Sequence, residues 1–396
     1  MDWSFLIEGK EALNVTTDSR KVTPGCIFVA LKGEHFDGND FVEQARQDGA
    51  GYIISGENAL AELQDLARAW RRELDIPIIA ITGTNGKTTT KELTAAVLSK
   101  RYKVCYTQGN LNNQLGVPLT LLSITRAHEM AIIEMGASHP GDIKELVEIA
   151  EPTDALITNV GRAHLQGFGS FEGVMATKGE LYDWIIAHGG TIFYNADNPY
   201  LQEMYLTAQR SNSISGLTSN SEAVLYHTGS MPEGTHLVGA YNAENVSAAV
   251  CVGKYFGIDE ETALEAIRAY VPTNNRSQLM QTERNTVVVD AYNANPTSMT
   301  AAINSFKGDT YILGAMRELG EYSHLEHQNI VNMLLERKAD NVLLVGGEYK
   351  ETTAPYPVFD NVEELCEFLK KQPIQGAYIL LKGSRSNTLE KVIPLL

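Results

Sequence analysis

The sequence predicts an α/β protein in three parts, and three observations carry that reading. Short apolar runs bounded by Gly, Asn or Asp alternate with helical patterns over most of the chain. The runs are nearly unbroken in apolar residues, the pattern of strands covered on both faces of a largely parallel sheet. At 396 residues the chain exceeds one ordinary domain, and the alternation restarts near Pro272. The expectation is a small α/β N-terminal unit over 1–75. A central unit with a mostly parallel sheet follows over 76–271, and a C-terminal, Rossmann-like doubly wound unit over 272–396.

The elements follow in order. In the first part, "KVTPGCIFVAL" is a Pro-Gly turn leading into a strand, and "EHFDGNDFVEQARQDGAGYII" reads as turn, helix and strand. The amphipathic stretch "ALAELQDLARAWRREL" closes that part. In the second, "IPIIAITG", "MAIIEMG", "DALITNVG" and "GTIFYNAD" are strands, with helices such as "TTTKELTAAVLSK" and "PGDIKELVEIA" between them. In the third, "NTVVVDAY", "DTYILGAM", "DNVLLVGG" and "GAYILLKGS" are strands. Here "PTSMTAAINSF", "LEHQNIVNMLLERK" and "NVEELCEFLKK" are helices. No short repeat or low-complexity tract interrupts them.

Composition excludes several classes. Lys plus Arg is 32 against 49 for Asp plus Glu, a net charge of −17, which opposes a nucleic-acid surface. The four cysteines, Cys26, Cys105, Cys251 and Cys366, show no paired metal-type spacing. A reducing compartment without a disulfide frame fits them. The opening "MDWSFLIEGK" lacks a basic start followed by an apolar core. No apolar run reaches the roughly 18 residues of a membrane span. A cytoplasmic protein with no membrane span is expected.

"ITGTNGKTTTK", Ile81 to Lys91, is the sharpest local signal. It follows a buried-type strand and precedes a helix, the setting a phosphate loop requires, which gives the central unit a P-loop ATPase character. Only Thr84 and Asn85 separate Gly83 from Gly86, fewer residues than a standard phosphate loop has. The glycines let the backbone approach an anion, and the helix N-terminus supplies amides. Lys87 adds charge, and Thr88, followed by Thr89, offers a hydroxyl to Mg²⁺. The plainer alternative is a glycine turn with a solvated lysine. Glu134 ends the strand "MAIIEMG" at the carboxyl edge, where open α/β sheets bind ligands. That position suits a Mg²⁺ ligand, and it also suits a carboxylate in a polar turn.

"GTNGKTT" resembles the ATP loop of the Mur ligase family, which includes folylpolyglutamate synthases. "GNLNNQLGVPLTLL", "IIEMGASHPGDI", "ITNVGRAHLQGFGSFEGVMATKGE", "VVDAYNANPTSM" and "ILGAMRELGEYS" follow in family order. Together they are most similar to the branch that adds D-alanyl-D-alanine. "TTDSRKVTPGCIFVALKGEHFDG" resembles the uridine-nucleotide-binding domain of these ligases.

The resemblance implies an ATP-dependent, Mg²⁺-dependent ligase acting through an acyl phosphate in peptidoglycan precursor synthesis. Its substrates are a UDP-N-acetylmuramoyl-tripeptide and D-alanyl-D-alanine, and it works as a monomer. It implies His164 as a second metal ligand and Lys178, in "ATKGE", as a carbamylated lysine ligating Mg²⁺. Asn242 and Asn245 are placed at a helix start near the adenine, where helix capping is the plainer role. Arg276 is implied to reach the γ-phosphate across the domain junction, and Asp290 to hold the ribose. Tyr292, Asn293 and Asn295 suit hydrogen bonds to a ligand, though Asn-Pro is also a common turn. Ser19 and Arg20 suit the uridine diphosphate.

Two other readings compete. One is another amino-acid-adding ligase of the superfamily, or a folylpolyglutamate synthase. The amino-acid-adding ligases usually carry Asp-Asn-Pro-Arg in the last domain, and no such stretch follows Val271. The other is a non-catalytic protein with a degenerate ATP site, and Lys87, Glu134 and His164 are all present.

Overall fold

Three β-sheets organise the chain, which the computed structural model describes over residues 2–214 and 220–396. The first is small. Strands β1 (Val15–Thr16), β2 (Ile27–Val29) and β3 (Tyr52–Ile54) run parallel in that order. The central sheet contains β4 (Ile78–Thr82), β5 (Val104–Tyr106), β6 (Met130–Glu134), β7 (Asp154–Ile157), β8 (Thr191–Asn195) and β9 (Glu222–Tyr226). Their spatial order is β5-β6-β4-β7-β8-β9, all parallel. The third sheet contains β10 (Gln278–Gln281), β11 (Thr286–Asp290), β12 (Thr310–Gly314), β13 (Asn341–Val345), β14 (Val358–Phe359) and β15 (Tyr378–Lys382). Its order is β10-β11-β15-β12-β13-β14, and every pairing is parallel except that of the edge strand β10 with β11.

Burial on both faces explains the unbroken apolar strands. In β4, Ile78 and Ala80 enter one core while Ile79 and Ile81 enter the other. In β11, Val288 faces one core of the third sheet and Val287 and Val289 the other. Helices Lys87–Leu98, Asn242–Tyr255 and Glu260–Ala269 close one central core through residues such as Leu93, Val97, Val252 and Ile267. Helices Ala59–Glu73, Gly116–Leu122, Asp142–Ala150 and Phe171–His188 close the other.

Helix 59–73 joins the first sheet to the second. Trp3 Nε1 donates to Asp65 at 3.1 Å, Trp70 Nε1 donates to the Ile124 carbonyl at 2.9 Å, and Arg71 Nε donates to the Ala150 carbonyl at 3.1 Å. Strand β10 has no counterpart in the sequence reading. Its four residues alternate in exposure at a sheet edge, so the run is too short and too polar to stand out.

This topology places the site. Strand β4 is a switch point, with β6 on one side and β7 on the other. Ligands of open α/β sheets bind in the crevice at such a point, outside the carboxyl ends of the strands.

Candidate active site

Strand β4 ends at Thr82, and the chain turns within four residues into helix 87–98. Two glycines permit that turn. Gly83 has φ 143° and a side chain there would strike Thr158; Gly86 has φ 81° and a side chain would strike Asn245. The amides of Thr84 and Asn85 donate to Asn159, at 2.9 Å to its carbonyl and 3.0 Å to its side-chain oxygen. The amides at the helix start, from Gly86 onward, are therefore the ones open to an anion, since the first turn of a helix leaves them without intrahelical partners. Thr84 Oγ1 accepts from the Gly161 amide at 2.9 Å. Thr88 and Thr89 are buried against the helix start.

Lys87 folds back over the loop. Its Nζ donates to the carbonyls of Gly83 at 2.7 Å and Thr84 at 3.2 Å. Burial pulls its pKa down to about 8, with Glu134 opposing and Arg276 adding to the depression. An ammonium so placed gains most when an anion arrives.

Glu134 closes β6 and is 2% exposed. Asn112 Nδ2 donates to Oε1 at 2.8 Å, while Oε2 is buried with no hydrogen-bond partner. The Lys91 ammonium lies 3.8 Å from Oε2, beyond hydrogen-bond reach, so that oxygen can still take a hard cation. Among the described residues, no group of three His, Cys, Asp or Glu side chains forms a metal-binding cluster. Glu134 thus places one carboxylate oxygen without a hydrogen bond at the cavity.

His164 sits on the loop after β7 in left-handed backbone, with φ 50°. Its Nδ1 meets the carboxylate of Glu318, also left-handed at φ 61°, from the third sheet's side. Burial lowers the imidazole pKa, with Glu318 opposing. Lys178 lies behind the cavity wall at 3% exposure, its Nζ 5.7 Å from the Phe168 ring centre. Burial first, then the charge of Lys87, holds its pKa well below the ordinary lysine value. That direction favours the neutral amine over the ammonium.

The opposite wall comes from the third unit. Arg276 is flanked by left-handed Asn275 and Ser277, with φ 56° and 50°, and its guanidinium lies 3.8 Å from the Tyr292 ring centre. Its Nε is buried without a hydrogen-bond partner. Asp290 ends β11 and accepts from Lys382 Nζ at 2.6 Å. Lys382 also donates to the Asn293 carbonyl at 3.3 Å. Asn242 and Asn245 begin helix 242–255. Asn245 donates to Asn242 at 2.9 Å and accepts from Thr90 at 3.0 Å, so this pair braces the loop helix.

These walls enclose a cavity of about 780 Å³. It brings together Thr84, Asn85, Gly86, Lys87, Thr88, Thr89, Glu134, His164, Asn242, Asn245, Arg276, Asp290, Tyr292 and Asn293. Three expected residues near it do not line it: Gly83, Lys178 and Asn295. Asn295 instead caps helix Pro296–Ser305 with a capping box, and its Nδ2 donates to Asn85 Oδ1 at 2.9 Å. The first unit's Ser19 and Arg20 are also outside it, and Arg20, with 86% of its side chain exposed, pairs with Asp18. Asn112, Asn159, Glu318 and Lys382 belong to the site and were not singled out from sequence. Asn112 lies in the motif "GNLNNQLG" and Asn159 in "ITNVG", so those motifs held the available signal.

Comparison with known proteins decides the family. The chain matches the Mur ligase middle domain over residues 81–253, the Mur ligase glutamate ligase domain over 275–385, and the Mur ligase family catalytic domain over 12–102. It is 34% identical to the UDP-N-acetylmuramoyl-tripeptide–D-alanyl-D-alanine ligase of Bacillus subtilis, covering 96% of this chain and 92% of that one. The chain belongs to the Mur ligase family. Solved structures agree with this Mur ligase in fold. MurF from Acinetobacter baumannii superposes with TM-score 0.84 at 28% identity, over 96% of this chain and 93% of that one. The Thermotoga maritima MurF ligase, solved in complex with ADP, gives TM-score 0.82 at 26% identity over 98% of both chains. In this Mur ligase the Gly83–Gly86 turn and Glu134 fall within the matched middle domain, and Arg276, Asp290 and Lys382 within the matched glutamate ligase domain.

Proposed function

We infer that the chain is an ATP-dependent, ADP-forming ligase that joins D-alanyl-D-alanine to UDP-N-acetylmuramoyl-tripeptide in peptidoglycan precursor synthesis. The observation that carries this is full-length similarity to ligases of that name, with a single cavity joining a phosphate loop to the last domain. ATP binds with its phosphates on the amides from Gly86 to Thr89 and on Lys87. Arg276 reaches the γ-phosphoryl from the other wall. The carboxylate of the tripeptide attacks the γ-phosphorus, which gives an acyl phosphate and ADP. The amine of the dipeptide then attacks the acyl carbon, and phosphate leaves. Both partners of the first step are anions, so Lys87 and Arg276 lower its barrier by stabilising charge as it redistributes.

Mg²⁺ would be held by Oε2 of Glu134, which accepts no hydrogen bond, with Thr88 and His164 of the cavity and a carbamylated Lys178 from outside its lining as the other protein groups assigned to metal. When bound, Mg²⁺ neutralises phosphate charge and polarises the transferred phosphoryl group. Asp290 and Asn242 orient the nucleoside, Tyr292 and Asn293 line the ligand space, and Ser19 and Arg20 contact the uridine diphosphate. We assign carrier binding to 1–75, ATP to 76–271 and the amine to 272–396, in a cytoplasmic monomer. No helix among the described residues is long and apolar enough to cross a membrane.

The test is ADP release in the presence of UDP-N-acetylmuramoyl-tripeptide with one amine at a time. D-alanyl-D-alanine should drive turnover and yield the pentapeptide. Turnover with a free diamino acid, and none with the dipeptide, would refute the assignment.

A further inference from the structure

Helix 87–98 carries a second lysine one turn beyond the loop lysine. Lys91 is 0% exposed. A buried ammonium persists only with close oxygen partners. Lys91 Nζ donates to the Thr107 carbonyl at 2.6 Å, lies 3.1 Å from Glu92 Oε1, and lies 3.8 Å from Glu134 Oε2. The same threonine fixes Glu134, whose amide donates to Thr107 Oγ1 at 2.9 Å. Asn112 holds the other carboxylate oxygen. Glu134 is therefore aimed from both sides, and its orphaned oxygen faces a buried cation within ion-pair range.

We propose that Lys91 is a positioning residue that stands in for the metal at Glu134 in the nucleotide-free enzyme and makes metal entry conditional on nucleotide. This rests on the reading of Glu134 as a metal ligand. A divalent cation arriving at Oε2 alone meets the ammonium of Lys91 in a dry setting, where like charges repel strongly. Nucleotide phosphates add the negative charge that outweighs this repulsion. By linkage, nucleotide and metal then strengthen each other's binding by the same factor. A simpler role would be to tie helix 87–98 to the end of β5, with Glu92 as counter-ion. That role predicts weaker packing when the charge is removed, and no gain in metal affinity.

The experiment is a Mn²⁺ titration of the full-length protein by electron paramagnetic resonance, with and without ADP. Lys91→Gln keeps an amide donor for the Thr107 carbonyl and removes the charge. Without nucleotide it should bind Mn²⁺ about tenfold or more tightly than wild type, within the usual range of coupling effects. With ADP present it should also bind Mn²⁺ more tightly than wild type, because the phosphates outweigh the repulsion without removing it. Lys91→Arg, which keeps the charge, should retain the wild-type pattern. Glu134→Gln separates the two readings. If it leaves Mn²⁺ affinity in the presence of ADP unchanged, the metal-ligand assignment fails. If it weakens that affinity while Lys91→Gln matches wild type, the present inference fails alone. Tight Mn²⁺ binding by nucleotide-free wild-type protein would overturn the inference without any variant.

Discussion

Lys87→Met should make the nucleotide-free protein more stable near neutral pH while nearly abolishing ligation. The two effects have one source. Burial takes the Lys87 pKa from 10.5 to about 8. At 1.36 kcal/mol per pH unit, the charged form costs the folded state about 3 kcal/mol. Methionine removes that cost. It also removes the hydrogen bonds to the Gly83 and Thr84 carbonyls, each contributing about 1 kcal/mol. The variant should therefore gain about 1 kcal/mol around pH 7. The sign must change with pH. Between the folded value of about 8 and the unfolded value of 10.5, the unfolded chain binds more protons, so wild-type stability rises with pH across that window. Above it the lysine is neutral in both states and keeps its two bonds. Methionine is then the less stable residue, by about 2 kcal/mol. Urea unfolding followed by circular dichroism, without nucleotide or divalent metal, measures both ends. A variant destabilised by the same amount at every pH would refute the argument, because the ammonium would then carry no burial cost. Activity should fall at least about a hundredfold, as for loss of one strong electrostatic stabiliser.

Three further outcomes follow from named contacts. Asn295→Ala removes a capping box and the bond to Asn85, so it should lower stability by about 1 kcal/mol in urea unfolding and raise the KM for ATP. Arg276→Lys should not rescue Arg276→Ala, because the planar guanidinium stacked on Tyr292 is what a lysine lacks; initial-rate measurements of both variants decide it. Lys178→Ala should lose most activity, and acetate or formate should restore part of it by occupying the vacated space. The same additives should restore nothing to Lys87→Met, and rescue of both variants, or of neither, would count against a carbamate at Lys178.

The strands were legible because burial on both faces leaves a continuous apolar signature, as in β4 and β11, where neighbouring residues enter opposite cores. The glycine turn between β4 and helix 87–98 was legible because its constraints are local. Gly83 and Gly86 answer to steric demands within the turn itself and its immediate neighbours. Residues whose partners lie far along the chain were not legible. Lys382 meets Asp290 across 92 positions, and Asn85 meets Asn159 across 74. Nothing local marks Lys91 or Lys382 among ordinary lysines; only the assembled sheets bring Glu134 to the first and Asp290 to the second. Asn295 was read as a ligand contact from the same motif that makes it a helix cap, and sequence does not separate those roles.

The segment after β7 connects these observations mechanically. Asn159 holds the amides of Thr84 and Asn85, and so sets the shape of the phosphate loop. Three residues on, Arg162 lies 3.5 Å from Glu326 of the third unit, and His164 meets Glu318. Asn85 itself bonds Asn295. The loop proposed to receive phosphate is thus braced by a segment that also touches the domain carrying Arg276 and Asp290. Any separation of the two units breaks these contacts and withdraws Arg276 from Lys87, whose pKa registers its charge. Two cations at one site repel each other, so an anion between them would relieve a cost of bringing the walls together. A nucleotide triphosphate bound as proposed, on both walls, would be such an anion and should favour the closed arrangement; an unchanged radius of gyration by small-angle scattering under saturating nucleotide would refute this.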